Sequence, residues 1–304
     1  MVTHFDFSPT PLTKIESLSS HFNCNFYMKR DDLFEFGGGG SKARMLQYIL
    51  FKAKIENYNY ILTAGGPYSN FNRSLALLCK KYNFKMRLVL FDKNLHIQKD
   101  SLNKRILELC NVEIVHCQSY EVERRIEIEK KSIIEKGFKP FYIWGGGKSN
   151  EGVEAYKDCF LEVLKSVSPD YIFTALGTGT TFSGLLCGKF KTKSNTKIVG
   201  VSVAREKKVC ESVISEILEE FDSSIFLENS SFDIIDDYLF GGYGYVSEEL
   251  ENFINEFIRS EGIILDNIYV GKALFGTVEY LTNLKENYNN KTIVFLNTGG
   301  IYNF

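Results

Sequence analysis

The chain has no excess of basic charge, since 36 lysines and arginines stand against 38 aspartates and glutamates for a net charge of −2. Without a basic footprint, neither nucleic acid nor an anionic membrane surface is expected as a partner. No uninterrupted apolar run approaches the roughly 18 residues that span a bilayer. The opening Met1-Val2-Thr3-His4-Phe5-Asp6-Phe7 lacks a basic start followed by an apolar core, so no signal peptide is expected. The seven cysteines (Cys24, Cys79, Cys110, Cys117, Cys159, Cys187 and Cys210) are odd in number, scattered, and never form a CxxC pair. That pattern argues against a disulfide framework or a zinc site and for free thiols in a reducing cytoplasm. Of four histidines, His4, His21, His96 and His116, none lies at metal-ligand spacing from another, so no metal is expected. Internal repeats and low-complexity tracts are also missing.

What is present is an ordinary globular composition. At 304 residues, 44% hydrophobic and 24% charged, the chain can bury a full core, and its length suggests about two domains. Short β-branched or aromatic runs alternate with helical patterns, which argues a mainly parallel sheet wrapped by helices. Strands are expected at 26–29, 60–63, 86–90, 112–115, 171–174, 198–203 and 292–296. Helices are expected at 43–56, 70–82, 101–109, 121–136, 151–165, 181–189, 207–219, 248–260 and 272–287. Ser149 and Ser247 stand where N-caps belong.

Four glycines, Gly37 to Gly40, precede Ser41-Lys42-Ala43-Arg44 at a helix start. Glycines let backbone approach backbone or ligand closely, and a lysine in the first helical turn meets a dipole that disfavours its charge. Lys42 is therefore a candidate for a lowered pKa and for Schiff-base chemistry, against the bland reading of a solvated lysine on a flexible loop. A Walker-type phosphate loop is excluded, because Ser41 and Ala43 hold the places of its glycine and hydroxyl residue.

Three further glycine-punctuated strand ends recur at 63–70, 145–150 and 176–181. Ligands of open α/β sheets sit beyond the carboxyl ends of strands, so these turns point to one site. Gly177-Thr178-Gly179-Thr180-Thr181 follows an apolar strand and opens a helix, which suits a phosphate. A dinucleotide fingerprint fits less well: the glycines fall at 177, 179 and 184, and the next strand ends in Arg205 rather than an acid. A well-capped helix is the plain alternative. Ser69-Asn70 opens another helix; Asn70 could donate to a phenolate oxygen and Ser69 could hold a carboxylate, or Ser69 is simply an N-cap. Thr298, after the last strand, offers a neutral hydroxyl to a ring nitrogen. Tyr243 and Tyr269 each stand near glycines, where a phenol can reach into a cleft, although packing is the default role of a tyrosine.

Taken in order, these pieces resemble the fold type II (tryptophan synthase β-like) pyridoxal-phosphate enzymes. More narrowly the chain is similar to the 1-aminocyclopropane-1-carboxylate deaminase/D-cysteine desulfhydrase family. The resemblance is carried by Thr10-Pro11-Leu12, Lys29-Arg30-Asp31-Asp32, Gly39 to Arg44, Thr63 to Gly66 with Ser69-Asn70, Gly200 to Arg205, Gly242-Tyr243-Gly244, Tyr269 to Ala273 and Asn297 to Gly300. It implies an α/β fold of two open, mainly parallel twisted sheets flanked by helices, with the cofactor in the inter-domain cleft. A small domain at 45–146 would be inserted in a large one made of 1–44 and 147–304. Lys42 would carry pyridoxal 5'-phosphate, Gly177, Thr178, Gly179, Thr180 and Thr181 its phosphate, Asn70 its phenolic oxygen and Thr298 its ring nitrogen. Ser69 would bind the substrate carboxylate or assist proton transfer, and Tyr243 and Tyr269 would be catalytic-site phenols. A small amino-acid substrate and a homodimer are implied as well.

The expected reaction is β-elimination of the D-cysteine desulfhydrase type, giving a keto acid and ammonia. Ring opening of 1-aminocyclopropane-1-carboxylate, β-replacement, and a non-catalytic binding protein on the same fold are the alternatives. Three residues depart from the family pattern: Val270 stands where the deaminases carry glutamate and the desulfhydrases threonine, Phe71 replaces a polar residue or histidine, and Asn297 stands where histidine is common.

Overall fold

The computed structural model describes residues 3–91, 101–222, 224–225, 232–239, 244–284 and 287–303. In chain order its elements are β1 (Leu12–Lys14), α1 (Glu16–Phe22), β2 (Asn25–Arg30), α2 (Gly40–Ile55), β3 (Tyr60–Gly65), α3 (Asn70–Tyr82) and β4 (Lys85–Phe91). There follow α4 (Leu102–Leu109), β5 (Glu113–Cys117), α5 (Val122–Glu135), β6 (Pro140–Ile143), α6 (Asn150–Leu164), β7 (Tyr171–Leu176) and α7 (Thr180–Thr192). The chain closes with β8 (Lys197–Ser202), α8 (Lys207–Phe221), β9 (Phe232–Ile235), α9 (Glu248–Glu261), α10 (Val270–Leu284) and β10 (Thr292–Asn297).

These elements gather into two compact units, one of residues 1–8 and 34–152 and the other of 9–33 and 153–304. The first unit is built on a four-stranded sheet in the order β5-β4-β3-β6, parallel throughout. Its strands read as near-continuous apolar runs, as Tyr60-Ile61-Leu62-Thr63-Ala64 does, because a parallel sheet covered by helices is buried on both faces. Tyr60, Leu62, Ala64 and Val89 pack there against Ile126 and Ile133 of α5. Lys42 and its glycine turn belong to this unit.

The second unit carries a six-stranded sheet in the order β1-β2-β10-β7-β8-β9. All its pairings are parallel except that of β1 with β2. Phe26, Phe173, Val199 and Phe295 form its core with Leu250 and Ile254 of α9 and Leu274 of α10. Ser149 and Ser247 cap α6 and α9 as expected, accepting the amides of Gly152 at 3.1 Å and Leu250 at 3.2 Å.

Every expected strand and helix is present, with bounds that shift by up to three residues. Four elements were not anticipated: β1, α1, β6 and β9. Three are strands of three or four residues, and α1 has seven residues with no side-chain cap, too few positions for either periodicity to register.

Candidate active site

In the first unit, three loops meet at the carboxyl ends of β3 and β6. Gly37, Gly38, Gly39 and Gly40 have φ of +60°, +75°, +73° and +87°, four consecutive left-handed residues that only glycine adopts without strain. The turn delivers Lys42 into the first turn of α2, where it is partly buried and donates from Nζ to the Gly146 carbonyl at 2.8 Å. Burial lowers the Lys42 amine from an ordinary 10.5 to about 8. The direction is the one expected, and its cause is desolvation, since an ammonium loses its hydration there. The Gly145-Gly147 loop lies against the neighbouring one: a Cβ on Gly145 would sit 2.7 Å from the Ala64 carbonyl, and one on Gly147 would sit 3.1 Å from the Phe71 ring.

Ser69 is the N-cap of α3, its Oγ accepting the Asn72 amide at 3.3 Å. The cap leaves the hydroxyl proton for another acceptor, so the structural role and a binding role are compatible. Asn72 in turn donates from Nδ2 to the Gly66 carbonyl at 3.0 Å, which closes the turn. Asn70 opens the helix, and its Oδ1 accepts from Arg73 Nη1 at 2.8 Å. Arg73 and Asn103 were not singled out from sequence; arginine and asparagine on amphipathic helices give no signal of burial until the helices pack.

In the second unit, the glycine-threonine segment lies where β7 gives way to α7. Gly179 is the N-cap residue, at φ +89°. Thr180 is fully buried, and its Oγ1 finds no hydrogen-bond partner among the described residues. A buried hydroxyl at a helix N-terminus, beside amides that no preceding turn satisfies, is a site short of an acceptor. A phosphate supplies one.

Thr298 follows β10, the parallel neighbour of β7, and is partly buried. Asn297 is buried and its Oδ1 accepts the Gly299 amide at 3.0 Å, which bends the chain directly after the strand. Tyr269 precedes α10; its Cε1 lies 3.9 Å from where a Cβ on Gly177 would stand. Asp266, also missed from sequence, organises this corner. Fully buried, it accepts the amides of Ile268, Tyr269 and Val270 at 3.0, 2.9 and 2.8 Å. Its carboxyl group also fills the space beside Gly300, where a Cβ would lie 2.7 Å from Cγ. Desolvation pushes that carboxyl up to about 6, while the three amides pull it down. Tyr243 lies outside the described residues.

Each departure from the family pattern has a packing role. Phe71 is buried against the Gly147 loop, Val270 is buried and tied through its amide to Asp266, and Asn297 makes the turn just described.

Residues 5–299 match the family described as "Pyridoxal-phosphate dependent enzyme". A Thermotoga maritima protein named "Putative 1-aminocyclopropane-1-carboxylate deaminase" is 34% identical, the alignment covering 97% of this chain and 94% of that protein. The D-cysteine desulfhydrase of Yersinia enterocolitica is 30% identical, over 96% of this chain and 91% of its own. Among solved structures, an ACC deaminase homologue superposes with a TM-score of 0.88 at 28% identity, covering 99% of this chain and 93% of that one. The residues present suit the cofactor's groups taken one at a time: in the first unit a desolvated lysine amine suits an aldehyde, and in the second a buried hydroxyl at a helix start, without a partner among the described residues, suits a phosphate. The chain belongs to the pyridoxal-phosphate dependent enzyme family.

Proposed function

We propose that this enzyme is a lyase that eliminates a β-leaving group from a small amino acid, with D-cysteine as the type substrate and a keto acid, ammonia and sulfide as products. The observation that carries it is the Lys42 amine, delivered by the glycine turn, partly buried, held by the Gly146 carbonyl and lowered by burial to about 8. Bound pyridoxal phosphate supplies an electron-withdrawing ring that accepts the pair released at Cα. Lys42 would hold the cofactor through its amine, and that amine would take or return the substrate's Cα proton. The Ser69 hydroxyl donates to the substrate carboxylate while still accepting the Asn72 amide. Asn70 would donate to the ring's phenolic oxygen and Thr298 would be the partner of the ring nitrogen. Gly177, Thr178, Gly179, Thr180 and Thr181 would hold the phosphate, and Tyr269 would supply a phenol to the reaction, a role the family resemblance also gives to Tyr243. Family membership and the two named relatives support this assignment. We place the enzyme in the cytoplasm on the strength of seven free thiols, and as a homodimer, to be read by sedimentation.

The amine of Lys42 must be neutral to attack an aldehyde. Protein stripped of cofactor should therefore take up pyridoxal phosphate faster as pH rises, the rate levelling off above a midpoint near 8 rather than near 10.5. Stopped-flow absorbance across pH 6 to 11 reads this. A rate still climbing at pH 10 would show that Lys42 keeps an ordinary pKa.

Val270 separates the two leading substrates. An aliphatic side chain can neither donate to the pyridine nitrogen nor protonate it, so Thr298 is left as its polar partner. A ring with an unprotonated nitrogen is the weaker electron sink. Departure of a thiolate tolerates that, because the leaving group stabilises its own charge, whereas opening an unactivated cyclopropane has no such help. Sulfide release from D-cysteine should be readily measured, with little or no 2-oxobutanoate from 1-aminocyclopropane-1-carboxylate. Faster turnover of the cyclopropane would reverse the assignment. Sulfide-free consumption of a β-substituted amino acid in the presence of a second nucleophile would favour β-replacement.

A further inference from the structure

We infer that Arg73 is a positioning residue for the cofactor, fixing the Asn70 amide so that its nitrogen serves the phenolic oxygen of the bound ring. The inference rests on the proposed role of Asn70 as that oxygen's partner. Arg73 lies in the second turn of α3 and is 1% exposed. Its Nη1 donates to Asn70 Oδ1 at 2.8 Å and to Asn103 Oδ1 at 3.3 Å. Its Nη2 donates to Ser74 Oγ at 3.1 Å and reaches the carbonyls of Gly38 and Gly39 at 3.5 Å each.

A guanidinium carries five donors and no acceptor, so the atom of Asn70 that faces it has to be the carbonyl oxygen. Asn103 adds a second donor to the same oxygen from Nδ2, at 3.4 Å, while also donating to the Tyr68 carbonyl at 2.9 Å. With two donors converging on Oδ1, rotating the amide by half a turn would set N–H against N–H. A buried donor left unsatisfied beside a charge is strongly disfavoured, and this closes the flipped state. The amide is thereby committed to presenting NH2 to a ligand, which is the polarity a phenolate oxygen needs.

The same guanidinium reaches Gly38 and Gly39, which lie in the turn that delivers Lys42. One buried cation thus contacts both Asn70 and the turn that carries Lys42, the two residues proposed to hold neighbouring substituents of the ring. Lysine could supply the charge but not the fork, since its single ammonium cannot address Asn70, Ser74 and the turn in fixed directions.

A purely architectural arginine would also hold α2, α3 and α4 together, so the test must separate the two roles. Purified enzyme, Arg73→Gln, Asn70→Ala and the double variant are compared for pyridoxal phosphate dissociation constant, visible spectrum of the bound cofactor and thermal unfolding. In the otherwise native protein, Arg73→Gln should weaken retention about ten-fold and shift the visible band, a coupling in the range of hydrogen-bonded neighbours. In the Asn70→Ala protein the same substitution should change retention less than about two-fold, because the amide it positions is gone. Equal losses in both backgrounds would overturn the inference while leaving the role of Asn70 intact. Unchanged affinity and spectrum in Asn70→Ala would instead remove the role of Asn70, and the inference with it. Arg73→Lys is the second variant and should fold and lose affinity to an intermediate degree. Failure of both Arg73 variants to fold would assign the residue to architecture alone and overturn the inference.

Discussion

Lys42→Ala should yield a colourless protein that folds, binds pyridoxal phosphate only reversibly, and incorporates no label on treatment with tritiated borohydride. Turnover should fall by roughly 10³-fold or more, since the variant loses both the covalent tether and the group that moves the Cα proton. The fold should survive. Nζ makes one hydrogen bond, to the Gly146 carbonyl, and removing an amine whose burial already disfavours its charge costs little stability. Circular dichroism and thermal unfolding check that part, and peptide mapping of the reduced native enzyme locates the label. A yellow, borohydride-reducible Lys42→Ala protein would place the covalent link on another lysine.

Gly179→Asp should strip the enzyme of cofactor with the fold retained. Gly179 sits at φ +89° at the start of α7, a backbone region that costs a residue with a Cβ about 1–2 kcal/mol. An added Cβ would meet Ile217 Cδ1 at 3.0 Å and Val213 Cγ1 at 3.2 Å, contacts that flexible aliphatic side chains can relieve. The larger effect is electrostatic, because a carboxylate at the head of α7 adds a negative charge beside the amides proposed to hold the phosphate and so disfavours a second anion there. Absorbance after exhaustive dialysis reads the loss. Gly179→Ala carries the strain without the charge and should keep most of the cofactor, so the pair of variants separates the two causes. Undiminished retention by Gly179→Asp would mean that the phosphate is held elsewhere.

Much of this molecule was legible in the order of its residues. Strands such as Tyr60–Gly65 and Thr292–Asn297 are continuous apolar runs because both faces of a parallel sheet are covered, and such runs stand out without any knowledge of neighbours. The glycine turn, the glycine-threonine segment and the Ser69 cap were readable for a related reason. Each is a local solution to backbone geometry or to unsatisfied amides, so its chemistry is written within a few consecutive residues.

What the sequence by itself determined, then, is the local machinery and its order: a lysine behind four glycines, hydroxyls at helix starts, and threonine after the last strand. Tertiary structure alone decided how that machinery is held and charged. Burial lowers the Lys42 amine. Arg73 and Asn103 converge on one oxygen of Asn70 from positions 3 and 33 residues away. Asp266 captures three amides and fills the space beside Gly300. The physical reason is the same in each case. Desolvation and hydrogen-bond convergence depend on which segments meet in space, and a side chain's neighbours across a fold leave no periodic trace in the chain that carries them.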